Sequence, residues 1–131
     1  MFNPATKVLV VDDMGTMRKL VKRNLNQLGF NTTEEAADGA LAWAKLNEHP
    51  DIGLIVSDWN MPNCTGLDLL KRVRSDTRFK KLPFLLLTAE GEAKQVQEAI
   101  IAGVDGYVLK PFTLESLKEK LEQTFQKRSA A

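Results

Sequence analysis

Four short apolar runs, Val8 to Val11, Leu54 to Val56, Phe84 to Leu87 and Tyr107 to Leu109, most constrain what this chain can become. Each is too short for a helix and is continuous instead of alternating, as expected of a strand buried on both faces. A fifth candidate, Thr32 to Ala36, reads Thr-Thr-Glu-Glu-Ala. That polarity suits a sheet edge, where charged side chains discourage pairing with another molecule.

Between the runs the apolar period becomes helical. Met17, Leu20, Val21, Asn24, Leu25 and Leu28 form one stripe, stopped by Gly29. Ala40, Leu41, Trp43 and Ala44 follow Asp38, a suitable N-cap. Leu67, Leu70 and Val73 make a third stripe, and Val96, Ala99 and Ile100 a fourth that leads to Gly103. Leu114, Leu117, Leu121 and Phe125 make the last, with Thr113 to cap its start and Lys127 and Arg128 at its negative end. Strict βα alternation of this kind predicts a parallel five-stranded sheet with right-handed crossovers and helices on both faces. The expected fold is α/β, a single doubly wound (βα)5 domain over 1–131 with its core at about 6–127 and a frayed C-terminal tail.

The chain's 131 residues suit one such domain and leave no room for a second. With 18 Lys plus Arg against 17 Asp plus Glu, the formal charge is +1, which argues against nucleic-acid binding by bulk electrostatics. The single Cys64 cannot form an internal disulfide, and no segment reaches the roughly 18 apolar residues of a membrane span. The expectation is a soluble cytoplasmic protein with no role at a membrane.

In open α/β sheets ligands bind beyond the carboxyl ends of the strands. The first run ends in Asp12-Asp13, the third in Ser57-Asp58, the fourth in Thr88-Ala89 and the fifth in Lys110-Pro111. Taken singly, each is more often a turn acid, a helix cap or an exposed lysine. Together they bring three carboxylates, a hydroxyl and an ammonium to one rim. Two carboxylates ~5 Å apart repel by roughly 3 kcal/mol at an effective dielectric near 20. Raised pKa values, a neighbouring Lys or a bound divalent cation relieve such repulsion, and Lys110 alone leaves a deficit. An all-oxygen donor set without His or Cys suits Mg²⁺. Mg²⁺, Lys and a hydroxyl side by side are equipment for a phosphoryl group, with a free carboxylate able to attack phosphorus. Asp58, on the middle strand of the series, is the nucleophile candidate, and Asp12-Asp13 the metal anchor.

At these residues the sequence resembles the receiver domains of two-component response regulators, most closely the single-domain, CheY-like chemotaxis branch. The segments that carry the likeness are Val8-Leu-Val-Val-Asp-Asp, Ser57-Asp-Trp-Asn-Met-Pro-Asn, Gly66-Leu-Asp-Leu-Leu, Leu87-Thr-Ala-Glu and Gly106-Tyr-Val-Leu-Lys-Pro-Phe-Thr. Each is weak alone; in this order they span nearly the whole chain. The resemblance brings the flavodoxin-like strand order 2-1-3-4-5. It implies that Asp58 is the phosphoacceptor, that Asp13, Asp58 and the Asn60 backbone carbonyl ligate Mg²⁺, and that Asp12 acts through a bound water. Lys110 would pair with Asp58 and then with the phosphoryl group, while Thr88 would bond a phosphoryl oxygen and make room for Tyr107 to turn inward. From the residues alone, Tyr107 reads as a half-buried packing residue. Asn60 and Glu90 would flank the phosphoryl group and modulate its hydrolysis.

The resemblance further implies a CheA-like histidine kinase as phosphodonor and a partner face including Val96, Ile100, Tyr107 and Lys120. It implies a flagellar motor switch protein or other protein target, a phosphatase, and a monomer that catalyses its own phosphotransfer and dephosphorylation instead of turning over an external substrate. An intermediate receiver in a phosphorelay, or a phosphate sink, is the alternative within the family. Outside it stand an aspartate-nucleophile phosphatase, whose family separates its two acids by one residue, and a flavodoxin-like electron carrier, whose flavin phosphate the Asp12-Asp13 loop would repel. Thr65 stands where the family often has an acid, and Thr also caps helices. Gly91, following Glu90, should loosen that loop. Cys64 reads as a small loop residue.

Overall fold

A computed structural model describes residues 5–61, 64–89 and 93–130. The elements are β1 (Lys7–Val11), α1 (Gly15–Gln27), β2 (Thr32–Ala36), α2 (Gly39–Glu48), β3 (Ile52–Asp58), α3 (Gly66–Ser75), β4 (Phe84–Thr88), α4 (Ala93–Ala102), β5 (Gly106–Leu109) and α5 (Leu114–Ala130). All strand pairs are parallel, in the order β2-β1-β3-β4-β5. The polar β2 is one edge, as its composition predicts; β5, read as an apolar run buried on both faces, is the other, and its Leu109 is 48% exposed.

Alternation along the strands divides the core in two. Leu9, Val11, Ile55 and Leu86 point to one face and pack with Ala42, Leu46, Leu69, Leu70, Val73 and Ala99 of α2, α3 and α4. Val8, Val10, Leu54, Val56, Leu85 and Leu87 point to the other and meet Val21, Leu25, Leu117 and Leu121 of α1 and α5. Such runs are continuous because neither face of a central strand meets water. Truncating any of these leucines to Ala would cost about 2–5 kcal/mol.

Local signals end and begin the helices as expected. Gly29 and Gly103 have φ of 107° and 95°, and the following amides reach back, Phe30 N to Leu25 O at 2.9 Å and Val104 N to Ala99 O at 3.0 Å. Asp38 Oδ1 accepts from Leu41 N at 2.8 Å, and Thr113 Oγ1 from Ser116 N at 3.0 Å. Thr65 forms a full capping box with Asp68, so its departure from the acidic family residue keeps the helix start intact.

Three expectations need correction. Leu20 is 42% exposed, outside the buried stripe that Val21 and Leu25 define, because the helical stripe facing the sheet is narrow. In α4, Ala99 is buried while Ile100 is 60% and Ile101 86% exposed, so Ile100 is a surface residue and not part of a core stripe. In α2, Ala40, Leu41 and Ala44 of the expected stripe are exposed, and Ala42 and Leu46 face the core instead.

Candidate phosphoacceptor and metal site

The order of the sheet reverses between β1 and β3, and at that switch point the connections leave to opposite faces, which opens a crevice beyond the strand ends. Val11 is in register with Ser57, so Asp12 and Asp58 emerge side by side. Asp58 is in turn opposite Leu87, and Thr88 opposite Leu109. Asp12, Asp13, Asp58, Thr88 and Lys110 thus close four neighbouring strands at one edge of the sheet.

Asp12 is buried, its residue only 2% exposed. Its Oδ1 accepts from Met14 N at 2.9 Å, and its carbonyl from Arg18 Nη1 at 2.7 Å. Arg18 is itself held by Glu35 at 3.1 Å, which also binds Lys22 at 3.1 Å, and these two cations keep Glu35 below the usual carboxylate range despite partial burial. The Arg18–Glu35 brace went unread in the sequence because its partners lie on different elements with no spacing to link them.

Asp58 is also buried, and its Oδ1 accepts from Lys110 Nζ at 2.8 Å. Lys110 Nζ lies 3.5 Å from Asp12 Oδ2. Carboxylate oxygens of Asp12, Asp13 and Asp58 come within 4.8 Å of one another, Asp13 being the exposed member. Burial, with the charges of Asp58 and Asp13, pushes Asp12 up, against the opposing Met14 N–H and Lys110. Asp12 Oδ2 is buried with no hydrogen-bond partner among the described residues. An orphaned carboxylate oxygen facing two more carboxylates is what an oxygen-coordinated cation would satisfy.

Gly66 explains how α3 can start so close to this crevice. Its amide donates to Trp59 O at 2.9 Å, and a Cβ there would collide with the Asp58 carbonyl and approach Leu86 Cδ2 to 2.8 Å. Lys110 is joined to Pro111 by a cis peptide, and its amide donates to Thr88 O at 2.8 Å. Thr88 is 3% exposed and Trp59 7% exposed, while Asn60 follows on the loop and faces solvent.

Tyr107 is half-buried against the core, opposite Leu86, with Lys120 Nζ 5.6 Å from its ring centroid. Val96 is half-buried, and Ile101 and Leu109 add exposed apolar surface that the sequence reading missed. Glu90 and Gly91 lie outside the described residues. Burial, chiefly, pushes the Cys64 thiol up, opposite to what a reactive thiolate needs.

The family model of the response regulator receiver domain matches residues 8–122. The chain belongs to the response regulator receiver family. Within it, the chain is 50% identical over 125 residues to the chemotaxis protein CheY-3 of Vibrio cholerae, covering 95% of each. It is also 50% identical to the chemotaxis protein CheY of Pseudomonas aeruginosa over 92% of this chain and 97% of that one. Among solved receivers, CheY4 of Vibrio cholerae superposes with a TM-score of 0.84 at 38% identity, covering 92% of this chain and 98% of that one. A CheX-CheY-BeF3-Mg²⁺ complex from Borrelia burgdorferi superposes with a TM-score of 0.85 at 26% identity, over 92% of this chain and 89% of that one. Among the described residues no helix is long and apolar enough to cross a membrane.

Proposed function

We propose that the chain is a stand-alone chemotaxis response regulator that takes a phosphoryl group from a CheA-like histidine kinase onto Asp58 and thereby changes its affinity for a protein target, such as the flagellar motor switch. The observation that carries this reading is the Lys110 ammonium 2.8 Å from Asp58 Oδ1, beside the orphaned Asp12 Oδ2. The names of the relatives favour a chemotaxis target over a phosphorelay domain.

In this reading an Asp58 carboxylate oxygen forms a bond to phosphorus as the P–N bond to the donor's imidazole breaks, and the imidazole leaves neutral because its other ring nitrogen already carries a proton. Mg²⁺, present in the Borrelia complex, would supply positive charge against the phosphoryl oxygens. Asp13, Asp58 and the Asn60 carbonyl would hold it, with Asp12 acting through water. The Lys110 ammonium leaves the Asp58 carboxylate and donates to a phosphoryl oxygen, the Thr88 hydroxyl donates to another, and Tyr107 moves into the space that Thr88 leaves. The face of α4, β5 and α5, including Val96, Ile100, Tyr107 and Lys120, then presents a changed surface to its target. Asn60 and Glu90 modulate hydrolysis, which a separate phosphatase accelerates. The protein works in the cytoplasm as a monomer.

Incubation with acetyl phosphate and Mg²⁺ followed by intact-mass measurement tests the acceptor. One phosphoryl group is expected, absent with chelator and absent in Asp58→Asn. Labelling that survives Asp58→Asn overturns the assignment.

A further inference from the structure

We propose that Arg74 and Asp105 form a clamp that fixes the C-terminal end of α4 and the start of β5, so that α4 switches by pivoting about that end, with Arg74 as the positioning residue. The purpose of the motion rests on the response-regulator reading; the clamp itself does not.

Arg74 lies in the last turn of α3, and its guanidinium donates in three directions. Nε reaches Gly103 O at 2.9 Å, Nη1 reaches Leu82 O at 2.7 Å and Nη2 reaches Asp105 Oδ2 at 3.0 Å. Asp105 Oδ2 also accepts from Phe84 N at 2.8 Å, and Asp105 N donates to Phe84 O at 3.1 Å. Four segments therefore meet on one ion pair: the end of α3, the loop before β4, the first residue of β4 and the turn between α4 and β5. The Asp105 side chain is 1% exposed and that of Arg74 14%. A charge-assisted bond at that depth is stronger and more directional than one at the surface, and the planar fork fixes three acceptors at once. Gly103 completes the fit, because a Cβ on it would come within 3.2 Å of Arg74 Nε.

Along the rest of α4, Ala99 is buried and Val96 and Ala102 are half-buried among the described side chains, while Ile100 and Ile101 face outward. A rigid helix held at one end moves most at the other. That other end, at Ala93, follows the Thr88 strand, where phosphorylation acts. Tyr107 stands two residues beyond Asp105, so the clamp also holds the backbone from which its ring turns.

Native-state hydrogen exchange on the unmodified protein is the first test. Amides in the last turn of α4 should exchange at least about tenfold more slowly than those in its first half; uniform protection along α4 overturns the clamp. Arg74→Met, which keeps an apolar stem, is the second. It should still acquire one phosphoryl group from acetyl phosphate and Mg²⁺, but the phosphorylation-driven change in exchange at α4 and Tyr107 should be lost. Leu25→Ala, destabilised in the other core cluster, should retain that change, which separates positioning from stability. If Arg74→Met retains it too, the proposal fails. Should Arg74→Met not fold, Asp105→Asn, which keeps an acceptor for Phe84 N, is read by the same two outcomes. If Asp58 of the unmodified protein is never labelled, the functional reading fails, while the exchange gradient still decides the clamp.

Discussion

The Lys110 ammonium donates to Asp58 Oδ1 at 2.8 Å across 52 residues of chain. It also stands 3.5 Å from Asp12 Oδ2, so one cation serves two buried carboxylates that would otherwise repel each other. This arrangement makes the site sensitive to any change in local charge.

Replacing the cation should expose that repulsion. Breaking a buried pair by removing one partner costs about 3–5 kcal/mol, and because the Lys110 side chain is 20% exposed the expected loss in Lys110→Met is about 1–3 kcal/mol. Urea denaturation in chelator reads it. Mg²⁺ should then stabilise Lys110→Met more than the unmodified protein, and equal stabilisation of both would contradict the shared role of lysine and cation.

Asp12 predicts a pH dependence set by burial, which outweighs its pairing with Lys110 and gives the opposite sign to that of an acid whose pKa is lowered. Burial raises its folded pKa above the unfolded value of about 3.9, so its favourable contribution is complete below that value and lost as pH rises through the folded pKa. Metal-free Asp12→Asn should therefore be more stable than the unmodified protein at neutral pH, with the difference vanishing in acid. Melting temperatures measured against pH in chelator decide this, and a less stable Asp12→Asn at neutral pH would sink it.

Gly66→Ala should be costly at a position with no catalytic chemistry. The new Cβ would meet the Asp58 carbonyl, and backbone yields less readily than a side chain. The expected destabilisation is about 1–3 kcal/mol, with slower labelling by acetyl phosphate because the displaced backbone carries Asp58. A variant as stable and as quickly labelled as the parent would show that α3 shifts freely.

Thr65→Ala is the matching control. It removes the capping box with Asp68 and should lose about 1 kcal/mol in the urea midpoint, leaving the rate of Asp58 labelling unchanged. A slower rate would mean that the α3 cap also orders the acceptor loop.

Trp59 adjoins Asp58 and is 7% exposed, so its emission should respond to Mg²⁺. Trp43 must be removed first, because it packs under Arg72 at 4.3 Å and edge-on to Phe79, away from the rim. In Trp43→Phe, a saturable change in emission is expected. No change in either emission or melting temperature on adding Mg²⁺ would count against a cation at Asp12, Asp13 and Asp58.

Much of the fold was legible because its signals are local. Val8 to Val11 and Phe84 to Leu87 are continuous because both faces of a central strand are dry. Asp38, Thr65, Thr113, Gly29 and Gly103 mark helix ends through bonds that span only a few residues. The rim was legible for a related reason: parallel strands all point the same way, so residues that close successive runs must share one edge of the sheet.

Distances and surfaces were not legible. Periodicity alone put Leu20 and Ile100 on buried stripes, yet whether an apolar helical residue is covered depends on how far the neighbouring helix extends, which no local pattern encodes. The same limit hid the Arg18–Glu35 brace and the Arg74–Asp105 clamp, whose partners are brought together by sheet register and crossover. The sequence by itself therefore determined five βα units and the charges that close them, since strand burial and helix capping act over a few residues. Only the tertiary structure decided that Lys110 reaches Asp58, that Asp12 Oδ2 lacks a hydrogen-bond partner among the described residues and that α4 is tied at one end, since these depend on elements far apart in the chain.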